Sequence, residues 1–270
     1  ILGGAGADTL TGGVGTDTLS YVGSTAVNIN LTSNTASGGH AASDVISLFE
    51  NVIGSAGNDT ITGTTAANLL MGEVGNDSLS GSSGNDTLDG GDGNDTLVGG
   101  TGADSMDGGA GLLDRISYSA STAAVTVDLT TGSGLGGEAQ GDVIVNVENI
   151  TGSAYNDELV GNTADNAMDG GAGNDTLVGG LGSDAYTGGS GIDLVDYATA
   201  TSGVTVNLLS NTAAGYALGD SFSGIENVTG SAFNDILTGD TQNNVLTAGA
   251  GDDSLVGGDG LDTMLGGTGN

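Results

Sequence analysis

Apolar side chains recur along this chain every nine residues, embedded in glycine. From Gly54 the sequence divides into GSAGNDTIT, GTTAANLLM, GEVGNDSLS, GSSGNDTLD, GGDGNDTLV and GGTGADSMD without losing register. A second run starts at Gly152 with GSAYNDELV, GNTADNAMD, GGAGNDTLV, GGLGSDAYT and GGSGIDLVD. A third starts at Gly230 with GSAFNDILT, GDTQNNVLT, AGAGDDSLV and GGDGLDTML, and the N-terminus adds GGAGADTLT and GGVGTDTLS. The shared pattern is G-G-x-G-x-D-x-U-x, with U apolar. Its last three residues, such as Thr87, Leu88 and Asp89, predict a short strand whose middle side chain points inward and whose neighbours point out. Glycine at the first, second and fourth places predicts positive φ in a tight turn and close approach of stacked turns. The period does not fit a helix, and each glycine would cost a helix about 1 kcal/mol.

Three segments interrupt this clock, at residues 21–53, 118–151 and 197–229, and they match one another. Each opens with Tyr directly after a repeat's strand, so Leu19/Tyr21, Ile116/Tyr118 and Val195/Tyr197 alternate inward along a lengthened strand. VNINL, VTVDL and VTVNL follow, the β-branched alternation of a further strand. A Gly/Ala/Ser-rich stretch then leads to Asp44, Asp142 or Asp220, six residues before a Glu. The expected organisation is 1–53 (nonapeptides and the first cassette), 54–151 (a block and the second cassette), 152–229 (a block and the third) and 230–270 (terminal nonapeptides). These together form one continuous all-β solenoid. The chain begins without Met and stops at GGTGN within the pattern, so it is expected to be a segment of a longer protein.

Charge changes the picture. Asp and Glu number 34 against one Arg, no Lys and one His, a formal charge of −33, and 55 residues are Gly. Nucleic-acid and anionic-membrane binding need clustered cationic residues, which are absent. No apolar run reaches the length of a membrane span, so no membrane insertion is expected. Without Cys there is no disulfide framework, thiol catalysis or Cys-ligated zinc. One buried apolar side chain per nine residues falls short of the entropy of ordering that backbone. Stacking would also line the aspartates up in mutually repelling columns. A divalent cation shared by carboxylates and turn carbonyls reverses that repulsion, and hard oxygen ligands point to Ca²⁺.

These nonapeptides resemble the RTX family, the hemolysin-type calcium-binding repeats. The resemblance implies a right-handed parallel β-roll (a β-helix solenoid) in which two nonapeptides make one coil and Ca²⁺ sits between turns two repeats apart. On this sequence it implies that Asp77 pairs with Asp59 and Asp95, Asp86 with Asp104, Asp175 with Asp157 and Asp193, and Asp253 with Asp235. Carbonyls of Gly84, Gly93 and Gly173 would complete the shells. Asp8, Asp17, Asp184 and Asp262 occupy the same sixth place. About a dozen Ca²⁺ ions would cancel most of the charge. The resemblance also implies export by a type I system, with folding outside the cell.

Glu50, Glu148 and Glu226 each lie nine residues before Asp59, Asp157 and Asp235, in the sixth place of a degenerate repeat. Two repeats beyond each Glu stand Asn68, Asn166 and Asn244. Glu and Asn are expected to face each other, either sharing an ion or forming an acid–amide hydrogen bond without one. GGAGLLDRIS carries one extra residue, which puts Asp114 seventh, beside the single Arg115. Arg115 is expected to be either an exposed cation or a partner that neutralises Asp104 or a neighbouring carboxylate, and His40 is expected to be a loop residue.

No catalytic constellation is legible, and the chain is expected not to be an enzyme. A general acid needs apolar enclosure, one His allows at most one Ser-His-Asp arrangement, and no G-x-S-x-G elbow surrounds a Ser. The leading reading is a calcium-loaded structural rod of a secreted or cell-surface bacterial protein (an adhesin, surface-layer component or filament), partnered by calcium, by copies of itself or by a cell surface. The alternative is a repeat region accessory to a secreted protease, lipase or polysaccharide epimerase. An ice- or glycan-binding face would need a flat Thr or aromatic array, and β-propensity explains the recurring Thr more simply.

Overall fold

Alternate nonapeptides enter alternate sheets. In the computed structural model, which describes residues 1–269, the strands Leu69–Val74, Thr87–Asp92 and Ser105–Ala110 pair in parallel in one sheet. Thr60–Thr62, Ser78–Ser83 and Thr96–Thr101 pair in parallel in the other. Register runs in steps of 18 residues: Leu70, Leu88 and Met106 are consecutive partners, as are Ile61, Leu79 and Leu97. Two nonapeptides therefore make one coil of a parallel β-roll. All six of these eighth-place side chains are fully buried, while their strand neighbours are half-buried or exposed.

The chain divides into two compact units, residues 1–120 with 132–147, and residues 121–131 with 148–270. The last residue of the terminal block, Asn270, lies outside the described residues. In the first unit the strands Thr18–Ser20 and Asn51–Ser55 begin one sheet, and Thr9–Thr11 and Val45–Ser47 the other. In the second unit Glu158–Val160, Thr176–Val178 and Leu194–Asp196 pair in one sheet and Ala167–Ala172, Ala185–Ser190 and Ser221–Ser223 in another. Tyr186 replaces the usual aliphatic residue there, stacking on its cross-strand partner Phe222 at 5.6 Å and meeting Tyr197 edge-on at 6.3 Å.

Each cassette supplies one coil layer beneath the following block. Asn28–Asn30, Thr126–Asp128 and Val204–Asn207, the three β-branched segments, pair in parallel with Thr60–Thr62, Glu158–Val160 and Ile236–Thr238. Antiparallel excursions follow, as where Asn28–Asn30 meets Thr35–Ser37 and Val204–Asn207 meets Thr212–Gly215. His40 falls in the short 3-10 turn Gly39–Ala41, its N–H donating to Ser24 Oγ.

The three glycine places divide their work. In repeats such as GGDGNDTLV the second and fourth take positive φ, as at Gly91 (100°) and Gly93 (143°). The first does not. It is glycine because other atoms occupy the space a Cβ would need.

Candidate metal centres

The sixth-place aspartates lie at the ends of the turns, and Asp77, Asp86, Asp95 and Asp104 are at most 2 % exposed. Each carboxylate reaches back one coil. Asp77 Oδ1 accepts the Asp59 N–H at 2.7 Å, Asp95 Oδ1 the Asp77 N–H at 2.7 Å and Asp104 Oδ1 the Asp86 N–H at 2.8 Å. Asp175, Asp193 and Asp253 do the same with the N–H groups of Asp157, Asp175 and Asp235. Asp184 and Asp262 accept from Asn166 and Asn244, and the N–H groups of Asp8 and Asp17 go to Asp44 Oδ1 and Glu50 Oε2. The slip before Asp114 is absorbed, since its Oδ1 still accepts the Asp95 N–H at 2.7 Å. The aspartates paired by spacing are thus neighbours, joined through carboxylate and main-chain amide.

The second oxygen is different. Oδ2 of Asp77, Asp86, Asp95, Asp104, Asp175, Asp193 and Asp253 is buried with no hydrogen-bond partner. A Cβ on Gly72 would lie 2.2 Å from Asp77 Oδ2 and 2.5 Å from the Gly90 carbonyl oxygen. On Gly90 it would lie 2.3 Å from Asp95 Oδ2 and 2.5 Å from the Gly108 carbonyl. Two oxygens therefore converge over the first glycine of the repeat, in a cradle that one methyl group would fill. A buried carboxylate oxygen facing a carbonyl, with no donor between them, fits a hard divalent cation. Ca²⁺ bound there would supply the positive charge that both oxygens lack. Among the described residues no three Asp, Glu or His side chains gather at one point, so a cation in this cradle would rest on a carboxylate and main-chain carbonyls. The carbonyls of Gly84, Gly93 and Gly173 lie elsewhere, against the fourth-place turn glycines Gly102, Gly111 and Gly191 of the next coil. The first-place carbonyls of Gly90 and Gly108 are the ones that share a cradle with Oδ2 of Asp77 and Asp95.

Burial raises these acids. Asp77 is pushed up to about 7, chiefly by loss of solvent; its hydrogen bond from Asp59 opposes the shift, and the charges of Asp59 and Asp95 add to it. Asp86 and Asp175 rise to about 6, again mainly through burial. Tyr186 Oη shares the cradle over Gly179 with Asp184 Oδ2. It lies close enough to moderate the rise of Asp184 to about 7 yet outside hydrogen-bonding geometry. The folded chain holds protons on these groups above the unfolded carboxylate range near ~4, so without metal its stability falls as pH climbs from ~4 through about 7. Thermal melts in chelator are expected to show a lower midpoint at pH 8 than at pH 5. In calcium, which needs the ionised carboxylate, that trend is expected to vanish or reverse.

Glu and Asn at the cassette boundaries meet differently from the expected face-to-face arrangement. Asn68, Asn166 and Asn244 donate Nδ2–H to the main-chain carbonyls of Glu50, Glu148 and Glu226 at 2.6–2.7 Å. The carboxylates of Glu50 and Glu226 instead accept the N–H groups of Asp17 and Asp193, both at 2.8 Å. The Glu50 N–H is already spent on the Asp17 carbonyl, at 3.2 Å, so residue 50 offers residue 68 an acceptor. A carboxylate there would face a carbonyl, and the amide supplies a donor. Asn68→Asp is accordingly expected to lower stability in calcium by about 1–3 kcal/mol, the cost of a buried acceptor left unpaired, measurable by urea unfolding.

Two further sets of contacts went unread in the sequence. Tyr21, Tyr118 and Tyr197 donate their buried hydroxyls to Oδ2 of Asp44, Asp142 and Asp220 at 2.8, 2.8 and 2.6 Å. Burial, followed for Tyr118 by the charge of Asp142, holds these phenols well above their usual range, so they stay protonated donors. Fifth-place Asn side chains form a second ladder: Asn58, Asn76 and Asn94 accept the N–H groups of Asn76, Asn94 and Leu112. The recurring Asn was its visible signal.

A parallel β-roll with partnerless carboxylate oxygens at regular steps defines a repeat protein built to hold cations. The profile of the RTX calcium-binding nonapeptide repeat (4 copies) matches residues 1–21, 53–88, 80–111, 147–177, 160–195, 220–248 and 238–270. The chain belongs to that family and is a calcium-binding module of a secreted bacterial protein. None of the curated proteins matches it.

Proposed function

We propose that this chain is a structural module of an extracellular or cell-surface bacterial protein, such as an adhesin, surface-layer component or filament, and that it has no catalytic role. Calcium is held at the sixth-place carboxylates and completes the fold after export. The observation that carries this reading is the series of buried Asp Oδ2 atoms without a donor, recurring at nine-residue steps from Asp77 to Asp104 and again at Asp175, Asp193 and Asp253. In a low-calcium cytosol such a chain stays unfolded and competent for a type I exporter. Millimolar calcium outside fills even sites of ~10⁻⁴–10⁻³ M affinity, and binding to the folded form alone then stabilises it by mass action. Partners are calcium and, through the assembled surface, other copies of the chain or a cell surface. The test is to delete the gene and compare cells. Loss of a surface structure or of adhesion supports the reading; loss of a secreted hydrolytic or epimerase activity with the surface intact overturns it in favour of an accessory role.

A further inference from the structure

We propose that the repeats are of two kinds and that only one holds calcium: the first two repeats after each cassette are sealed by the protein's own donors and bind no ion. This rests on the calcium reading above. In those repeats the second residue is Ser55, Thr64, Ser153, Asn162, Ser231 or Asp240. None of these takes positive φ, and each directs its N–H to the sixth-place side chain. The serines add a hydroxyl. Asp59 Oδ1 accepts Ser55 Oγ at 2.7 Å as well as the cassette N–H of Val27, while Oδ2 takes the Ser55 N–H at 2.6 Å. Asp157 and Asp235 repeat the pattern with Ser153, Val125 and Ser231, Val204.

Later repeats turn the second residue to positive φ, and there no donor reaches Oδ2 of Asp77, Asp86, Asp95, Asp104, Asp175, Asp193 or Asp253. Conformation, not residue type, marks the difference. Glu73 (80°) and Ser82 (78°) adopt the glycine-like conformation, and the carboxylates they precede, Asp77 and Asp86, keep a bare Oδ2. An N–H aimed at the carboxylate puts a positive hydrogen where a cation would sit and removes the unmet demand that attracts one. Asn68, Asn166 and Asn244 go further by removing the charge altogether. The cassette acids Asp44, Asp142 and Asp220 are closed by tyrosine hydroxyls. Each cassette and the two repeats after it thus form a stretch whose polar groups are satisfied without metal, on which calcium-dependent repeats can stack.

Crystals grown in calcium and soaked with a heavier lanthanide test this on the unaltered chain. Anomalous peaks are expected beside Gly72, Gly81 and Gly90, with none beside Gly54, Gly152 or Gly230. A peak at any of the latter three overturns the division into two kinds of turn. No peak anywhere defeats the calcium reading itself, a separate failure. Native mass spectrometry gives a second readout. The triple variant S55A/S153A/S231A is expected to keep the parent's ion count, whereas D77N/D95N/D175N loses three ions. Equal losses from both would overturn the proposal.

Discussion

Chelation of divalent cations is expected to abolish most of the β signal in circular dichroism and to swell the chain toward the ~58 Å radius of gyration of an unfolded polymer of this length. Calcium should restore both. A buried acceptor left without a partner costs about 1–3 kcal/mol, and more when charged. Asp77, Asp86, Asp95, Asp104, Asp175, Asp184, Asp193 and Asp253 carry such an oxygen among the described residues. Even at the low end their sum rivals the ~5–15 kcal/mol net stability of a whole domain. Like charges stacked along each ladder add to that deficit, and one Arg cannot offset a formal −33. What persists in chelator should map to the cassettes and the two repeats after each, where donors are already in place. An unchanged spectrum, in a sample shown by atomic absorption to be free of metal, would leave the cation with no role in the fold.

The repeat period carried the architecture in plain view. Eighth-place apolar residues and an 18-residue step between partners follow from the letters alone, and Leu70, Leu88 and Met106 stand in that register. The sites were legible by place, less so by state. Asp59 and Asp77 read identically in their repeats, yet a serine hydroxyl and amide close one and nothing closes the other. That distinction depends on the sign of φ at the preceding second residue, which Ser55 and Ser82 show the sequence does not determine. Asn68 is explained only once residue 50 is seen to present its carbonyl. The cassette tyrosines and aspartates were both conspicuous, but they lie 23 or 24 residues apart, and only the path of the cassette brings hydroxyl to carboxylate.

Asp95→Asn is expected to move stability in opposite directions with and without calcium. Asparagine keeps an oxygen for the Asp77 N–H and replaces bare Oδ2 with an amide donor beside the Gly108 carbonyl. In chelator the variant should therefore be more stable than the parent, because a buried charge and an orphan acceptor disappear together. In calcium it should be less stable, because one ion is lost; a site filled at 100 times its Kd contributes ~2.7 kcal/mol. Asp89→Ala serves as the control. Asp89 is half-buried at an outward ninth place and faces Asp107 across the ladder, a like-charge contact whose removal is neutral or mildly stabilising. Urea unfolding of both variants in calcium, and the β signal each retains in chelator, separate the cases. If Asp95→Asn and Asp89→Ala respond to calcium identically, the sixth place is not where the ion is held, and the bare oxygens need another explanation.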